Sequence, residues 1–216
     1  MINQQLKTLA TGLLAFGLMT NVAQAGLMNL VQNGEFENTG VKPGKWAPVG
    51  DVPQWYSGEG KIEIWAESFQ WGNRKGSDGL ATGQHAEITW KTDDPSKANI
   101  WTQFVIPETF AYGSTAFFSF DYQNRSSQGI LGSVEVNGSD VLWFDGSSKN
   151  KWTAMNLEVA GLSAGDSVRL LFQSNGGGSS GGHIDQVEFN VAVPIPGTMA
   201  LLGLGLAGFG LSRRKK

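Results

Sequence analysis

Apolar and polar residues alternate with period two in a series of short stretches between residues 30 and 191. Strict alternation marks a half-buried β-strand. In Lys61 to Ala66, Ile62 and Ile64 alternate with Glu63 and Trp65. In His85 to Lys91, Ala86, Ile88 and Trp90 share a face; in Asn99 to Ile106, Trp101, Gln103 and Val105 do. The pattern is clearest in Thr115 to Gln123, where Phe118, Phe120 and Tyr122 alternate with Ser119, Asp121 and Gln123. Strands are also predicted at Leu30 to Phe36, Ser133 to Val136, Asp140 to Phe144, Asn156 to Val159, Ser167 to Ser174 and Ile184 to Val191. Asn137-Gly138 is a hairpin signal. Two stretches have no period and are predicted as loops. Asn38 to Ser57 carries Trp46, Trp55 and Tyr56, aromatic side chains able to pin it to a core. Glu67 to Gly83 carries Phe69, Trp71, Arg74 and Lys75. No stretch reads as a long amphipathic helix. Some nine or ten short strands with regular turn signals predict an all-β sandwich. Trp90 and Trp101, each on an apolar stripe, are expected inside it.

The two ends read differently. Lys7 precedes an apolar run, Leu9 to Met19, and Ala23-Gln24-Ala25 is a small-x-small cleavage site. That order marks residues 1–25 as a signal peptide, with Gly26 opening the mature chain. At the other end, Val193, Pro194 and Pro196 precede an apolar, glycine-rich run closed by Arg213, Arg214, Lys215 and Lys216. Prolines oppose a helix before the run, and cations at one end keep that end in the cytoplasm. The fourteen residues Thr198 to Leu211 fall short of the roughly 20 that span a membrane comfortably. Such a run suits a transient hold in the inner membrane; the plain alternative is a poor transmembrane helix or a core segment. Residues 193–216 resemble the PEP-CTERM sorting signals handled by exosortases. Ile195 stands where that family usually has Glu. The resemblance implies an exosortase-type processing enzyme as partner, and a destination at the cell surface or beyond.

Between the ends lies one domain, residues 26–192. It holds 11 basic and 19 acidic residues, a net charge of −8, because five of the 16 cations and none of the acids sit in the terminal segments. An acidic body argues against nucleic acid as a partner. The chain has no cysteine and two histidines, His85 and His183. These counts exclude disulfides, thiol catalysis and a multi-histidine metal centre.

Three motifs of the body resemble the galactose-binding-like jelly rolls: Asn33-Gly34-Glu35-Phe36-Glu37 the opening, Ser119-Phe120-Asp121-Tyr122 the central strand, and His183-Ile184-Asp185-Gln186-Val187 the closing strand. The resemblance implies a jelly-roll β-sandwich of the kind found in carbohydrate-binding modules. It also implies a structural Ca²⁺ held by Glu37, Asp185 and backbone carbonyls, an ion that would tie the first segment to the last. The alternative leaves Glu37 in a solvated turn and Asp185 bonded to a nearby N–H.

Two candidate sites for a glycan follow from the residues. In the second loop, Trp71 and Phe69 offer flat rings beside Asn73 and Arg74; the alternative is that Trp71 caps the sandwich. On the clearest strand, Asp121, Gln123 and Arg125 recur at period two and point the same way; the alternative is an ordinary solvent face. No catalytic motif selects a carboxylate pair, Gly-x-Ser-x-Gly is absent, and His183 alone reads as a loop residue. The sequence therefore predicts a non-catalytic, exported protein binding exopolysaccharide or another glycan. A structural or adhesive matrix protein is the second reading and a polysaccharide-active enzyme the third.

Overall fold

The computed structural model describes residues 25–66, 83–88, 94, 96–110, 115–124, 129–174 and 181–194. Residues 27–192 form a compact body. The described residues hold twelve strands and no helix. They are β1 (Ala25–Asn29), β2 (Trp46–Val49), β3 (Trp55–Ser57), β4 (Ile62–Trp65), β5 (His85–Glu87), β6 (Asn99–Val105), β7 (Ala116–Asn124), β8 (Ile130–Val136), β9 (Ser139–Gly146), β10 (Thr153–Val159), β11 (Ser167–Ser174) and β12 (Gly182–Pro194). A seven-stranded sheet runs β10-β7-β12-β5-β4-β2, with β1 also on β12. A five-stranded sheet runs β3-β6-β11-β8-β9. The neighbours in both are antiparallel, and the two sheets pack face to face as a jelly-roll sandwich.

The core is aromatic. Phe118 and Phe120 of one sheet meet Phe144 and Phe172 of the other, with Phe120 and Phe172 perpendicular at 5.1 Å. Phe104 meets Phe189 at the same separation. Edge-to-face pairs of this kind add to plain area burial. Trp55 pins the long opening segment to this core. Its ring lies against Phe36 and Phe172, and its indole N–H donates to the Asn33 carbonyl at 3.1 Å.

Several strands begin or end elsewhere than expected. Leu30 to Phe36 is not a strand; β1 precedes it. Asn33 and Phe36 both take positive φ, 53° and 54°, and the Asn29 side chain accepts from the N–H groups of Val31 and Phe189. The chain turns there, yet Val31 and Phe36 still reach the core. Gly34 is fixed by a close approach, since a Cβ there would run into the Val187 carbonyl. The first predicted loop contains β2 and β3, which escape a periodicity reading because they are four and three residues long. Pro48 fits β2 because β2 is an edge strand.

Trp101 is the plainest correction. The inward set of β6 is Ile100, Thr102 and Phe104, which pair with Phe172, Leu170 and Val168 of β11. Register then turns Trp101 outward, where it is partly exposed. Trp90 lies outside the described residues. So does Thr198–Leu211; among the described residues no helix is long and apolar enough to cross a membrane.

Candidate functional site

The outer face of the seven-stranded sheet gathers several of the residues singled out in the sequence. Asp121 of β7 stands opposite Asp185 of β12, and Gln123 opposite His183. A β-bulge follows Asp185, with Gln186 at φ 49°. The extra residue lets Ile184 and Val187 both face the core while Asp185 faces out. Asp121 and Gln123 were expected to form an open polar row or a solvent face. They are buried instead, 3% and 1% exposed. Arg125 lies outside the described residues, as do Phe69, Trp71, Asn73, Arg74, Pro196, Arg213, Arg214, Lys215 and Lys216. Val193 and Pro194 end β12.

Glu37 and Asp185 come within electrostatic reach of each other. Burial holds the Asp185 carboxyl well above the usual carboxylate range. The Gln186 N–H, donating at 2.8 Å, pulls it back, and Glu37, Asp121 and Glu35 push it further up. Glu37 Oε1 accepts from the Gln84 N–H at 2.7 Å, tying the opening segment to the start of β5. Glu35, Glu37 and Glu188 line a cleft of about 250 Å³ beside Asn33 and Gln186. In charge this surrounding suits a cation, which would offset the repulsion around a buried carboxylate. Among the described residues no three Asp, Glu or His side chains are placed to share a metal ion.

A second arrangement lies on the outer face of the five-stranded sheet, and the sequence reading missed it. Tyr56 pairs with Trp101, Trp101 with Leu171, Leu171 with Ser133, and Ser133 with Trp143. These five residues form one row in register across all five strands, with Ser133 buried between the exposed ends. Four strand spacings make it about 19 Å long. Tyr56 and Trp143 are 53% and 62% exposed, so flat apolar faces are offered to solvent at both ends. Tyr56 and Trp101 are stacked. The Arg169 guanidinium lies 4.8 Å from the Trp101 ring centre, a cation–π contact, and its Nη1 meets Glu135 at 3.3 Å. Gln103, Arg169 and Glu135 form the adjacent row, a strip of donors and acceptors alongside the rings. A cleft of about 180 Å³ opens beside Tyr56 and Trp101, lined also by Trp55 and Lys61. The one usable sequence signal was parity: Trp101, Tyr56 and Trp143 take the places of polar residues on their strands.

Together the sandwich and its tail define a class: an exported jelly-roll body followed by a sorting signal. The PEP-CTERM protein-sorting motif matches residues 192–215. The Stig cyclase Fisc from Fischerella sp. TAU, solved with (3Z)-3-(1-methyl-2-pyrrolidinylidene)-3H-indole, superposes with a TM-score of 0.56 at 11% identity, covering 78% of this chain and 99% of its own. The carbohydrate-binding module TmCBM61, solved with β-1,4-galactotriose, gives 0.49 at 12% identity over 75% of this chain and 97% of its own. A CBM4 module gives 0.45 at 16% identity over 76% and 99%. At such identities the likeness is one of fold. No curated protein matches the sequence.

Proposed function

We propose that the body binds a glycan along the outer face of the five-stranded sheet, as a non-catalytic matrix-associated module. The observation that carries this reading is the row Tyr56–Trp101–Leu171–Ser133–Trp143. Exposed rings aligned across a rigid sheet suit the apolar C–H faces of successive sugars, and the Gln103–Arg169–Glu135 strip supplies hydrogen bonds to hydroxyls. This replaces the second loop as the main platform. Trp71, Phe69, Asn73 and Arg74 remain candidates for further contact. Asp121 and Gln123, being buried, do not.

The same proposal includes the tail. Val193, Pro194, Pro196 and the basic cluster direct handling by an exosortase-type enzyme, with the apolar run holding the chain in the inner membrane until then. It includes a structural Ca²⁺ at Glu37 and Asp185, supported by the acidic surroundings of the buried Asp185 carboxyl.

The test is affinity electrophoresis or calorimetry of the protein against a panel of soluble polysaccharides. Saturable binding that Trp143→Ala and Tyr56→Ala each weaken, with thermal stability kept, supports the row. Binding untouched by both variants removes it. The absence of saturable binding across the panel favours the adhesive matrix reading, and turnover of a polysaccharide the enzymatic one.

A further inference from the structure

Four exposed apolar side chains, Leu27, Met28, Val105 and Phe117, gather at one end of the sandwich. The strand pairings place them there. Phe117 stands opposite Asn190, the last residue of β12 in register with β7. Past that point β12 continues with β1 beside it, and β1 carries Leu27 and Met28. The Leu30 N–H donates to the Phe189 carbonyl at 2.9 Å, so β1 flanks this last part of the strand. On the other sheet Val105 ends β6, one residue after Phe104, whose ring meets Phe189. Phe117 and Val105 thus stand at one level on opposite outer faces.

Exposed apolar residues scattered singly are ordinary. These four share one end, and it is the end by which the chain leaves the body. Only Ile195, Pro196 and Gly197 separate Pro194 from the apolar run that begins at Thr198. Those four residue steps reach at most about 14 Å when fully extended. The headgroup layer takes roughly 6 Å of that. While the run sits in the bilayer, the end of β12 is therefore held within about 8 Å of the headgroups. The run is also short. A fourteen-residue helix is about 21 Å long, against a hydrocarbon core of about 30 Å. Such a mismatch draws flanking chain inward.

Charge narrows the kind of surface. Glu158 stands opposite Phe117 on β10, Glu188 precedes Asn190 by two residues, and Glu108 follows Val105 by three. Asp166 is bonded to Asn137 and Ser163. Arg169, two residues along β11 from the partner of Val105, is paired with Glu135. An acidic rim gives anionic headgroups no purchase. What this end offers is apolar side chains among polar ones, the make-up of an interfacial contact. The contact can be weak, because the tail keeps the body at high local concentration.

We propose that this end of the sandwich is a membrane-docking face. While the tail is inserted, Leu27, Met28, Val105 and Phe117 rest in the headgroup layer of a lipid surface without net charge. The inference rests on the tail reading proposed above and adds what the body does meanwhile: it stands on end, strands upright. The aromatic row crosses the strands at Leu171, four residues along β11 from Ser167, the partner of Val105. It then runs parallel to the membrane, about 13 Å above the docked side chains, clear of lipid and open to glycan.

The chain has no cysteine, so one environment-sensitive dye can be placed at will. Leu27→Cys, Val105→Cys and Phe117→Cys report on the docking end. Asp145→Cys, an exposed position in register with Leu131 and Gln173 at the far end, is the control. The mature chain, Gly26 to Lys216, is reconstituted in phosphatidylcholine vesicles and recovered by flotation. Dye at 27, 105 and 117 is expected to shift to the blue and to lose its emission to nitroxide-labelled lipid. Dye at 145 should do neither. Three reporting sites keep the test open if one labelled chain fails to fold. Leu27→Asp with Phe117→Asp should keep flotation and Tm but abolish the response at position 105. Chains that float with all four dyes silent overturn the docking face and leave the tail reading standing. So does quenching at 145 equal to that at the other three, or a response at 105 unaltered by the two aspartates. Chains that do not float overturn the tail reading and the docking face with it.

Discussion

Tyr56 and Trp101 face each other across β3 and β6 with ring centroids 5.8 Å apart and planes 23° apart. Because Trp101 also carries Arg169 over its ring, it is held from two sides, while Tyr56 keeps more than half of its surface open. A rigid ring presented by one neighbour and braced by another is a good anchor for a ligand. Tyr56→Ala or Trp143→Ala should weaken glycan binding by about 2 kcal/mol, as loss of an aromatic anchor does. Calorimetry on the best polysaccharide of the panel checks this. Tm should hardly move in either case.

Trp55 is expected to behave in the opposite way. It is buried between Phe36 and Phe172 and bonded to Asn33. Trp55→Ala should cost about 3–5 kcal/mol of stability, the range for truncating a buried aromatic. Urea unfolding measures the loss. A value under 1 kcal/mol would show that the opening segment is not anchored there.

The buried His85 makes stability depend on pH. Burial lowers its pKa from 6.5 to about 3, so the folded ring stays neutral while the unfolded one takes up a proton. Stability is therefore complete above the unfolded value and is lost as pH falls from about 6.5 towards 3. At pH 5 the loss is about 2 kcal/mol. Asp185 acts in the other direction, since its raised carboxyl adds stability as pH falls. His183, Glu63 and Glu87 also face His85, so the useful quantity is a difference. Unfolding free energies at pH 7 and pH 5 should fall by about 2 kcal/mol more in the wild type than in His85→Phe. Equal falls would contradict the assignment.

Calcium is tested by removing it. If Glu37 and Asp185 hold the ion, chelation lowers Tm and added Ca²⁺ restores it. An ion at 100 times its dissociation constant stabilises by about 2.7 kcal/mol, which for a domain of this size is on the order of 5–10 °C. Asp185→Asn should abolish the response. A melting curve indifferent to chelator takes the ion out of the account.

For the tail, replacing Arg213, Arg214, Lys215 and Lys216 with neutral residues should leave a precursor that is not processed. Mass spectrometry of the C terminus reads the result. An intact C terminus on wild-type protein at the surface would make the tail a plain anchor.

The sandwich was legible because alternation is dictated by a buried face. Ser167 to Ser174 shows it best, with strand bounds read from the sequence that agree with β11. The candidate sites were less legible, for two physical reasons. Parity says that Trp101 and Thr102 point opposite ways but not which way is inward; pairing with β11 decides that, seventy residues away. Likewise Asp121 and Gln123 look like a solvent face because they are polar, and only the tertiary structure shows them buried. The opening motif misled in a third way. Val31 and Phe36 reach the core through a turn with left-handed residues, a geometry that leaves no period in the sequence.

The aromatic row takes one residue from each of five strands, in the spatial order 56, 101, 171, 133, 143. It is a ruler laid across the strands rather than along any one of them. If a glycan lies along the row as proposed, one shorter than the ruler touches only part of it, and affinity should climb with chain length until about 19 Å is filled, then level off. The saturating chain length would then be set by the number of strands, and lengthening any loop would leave it unaltered.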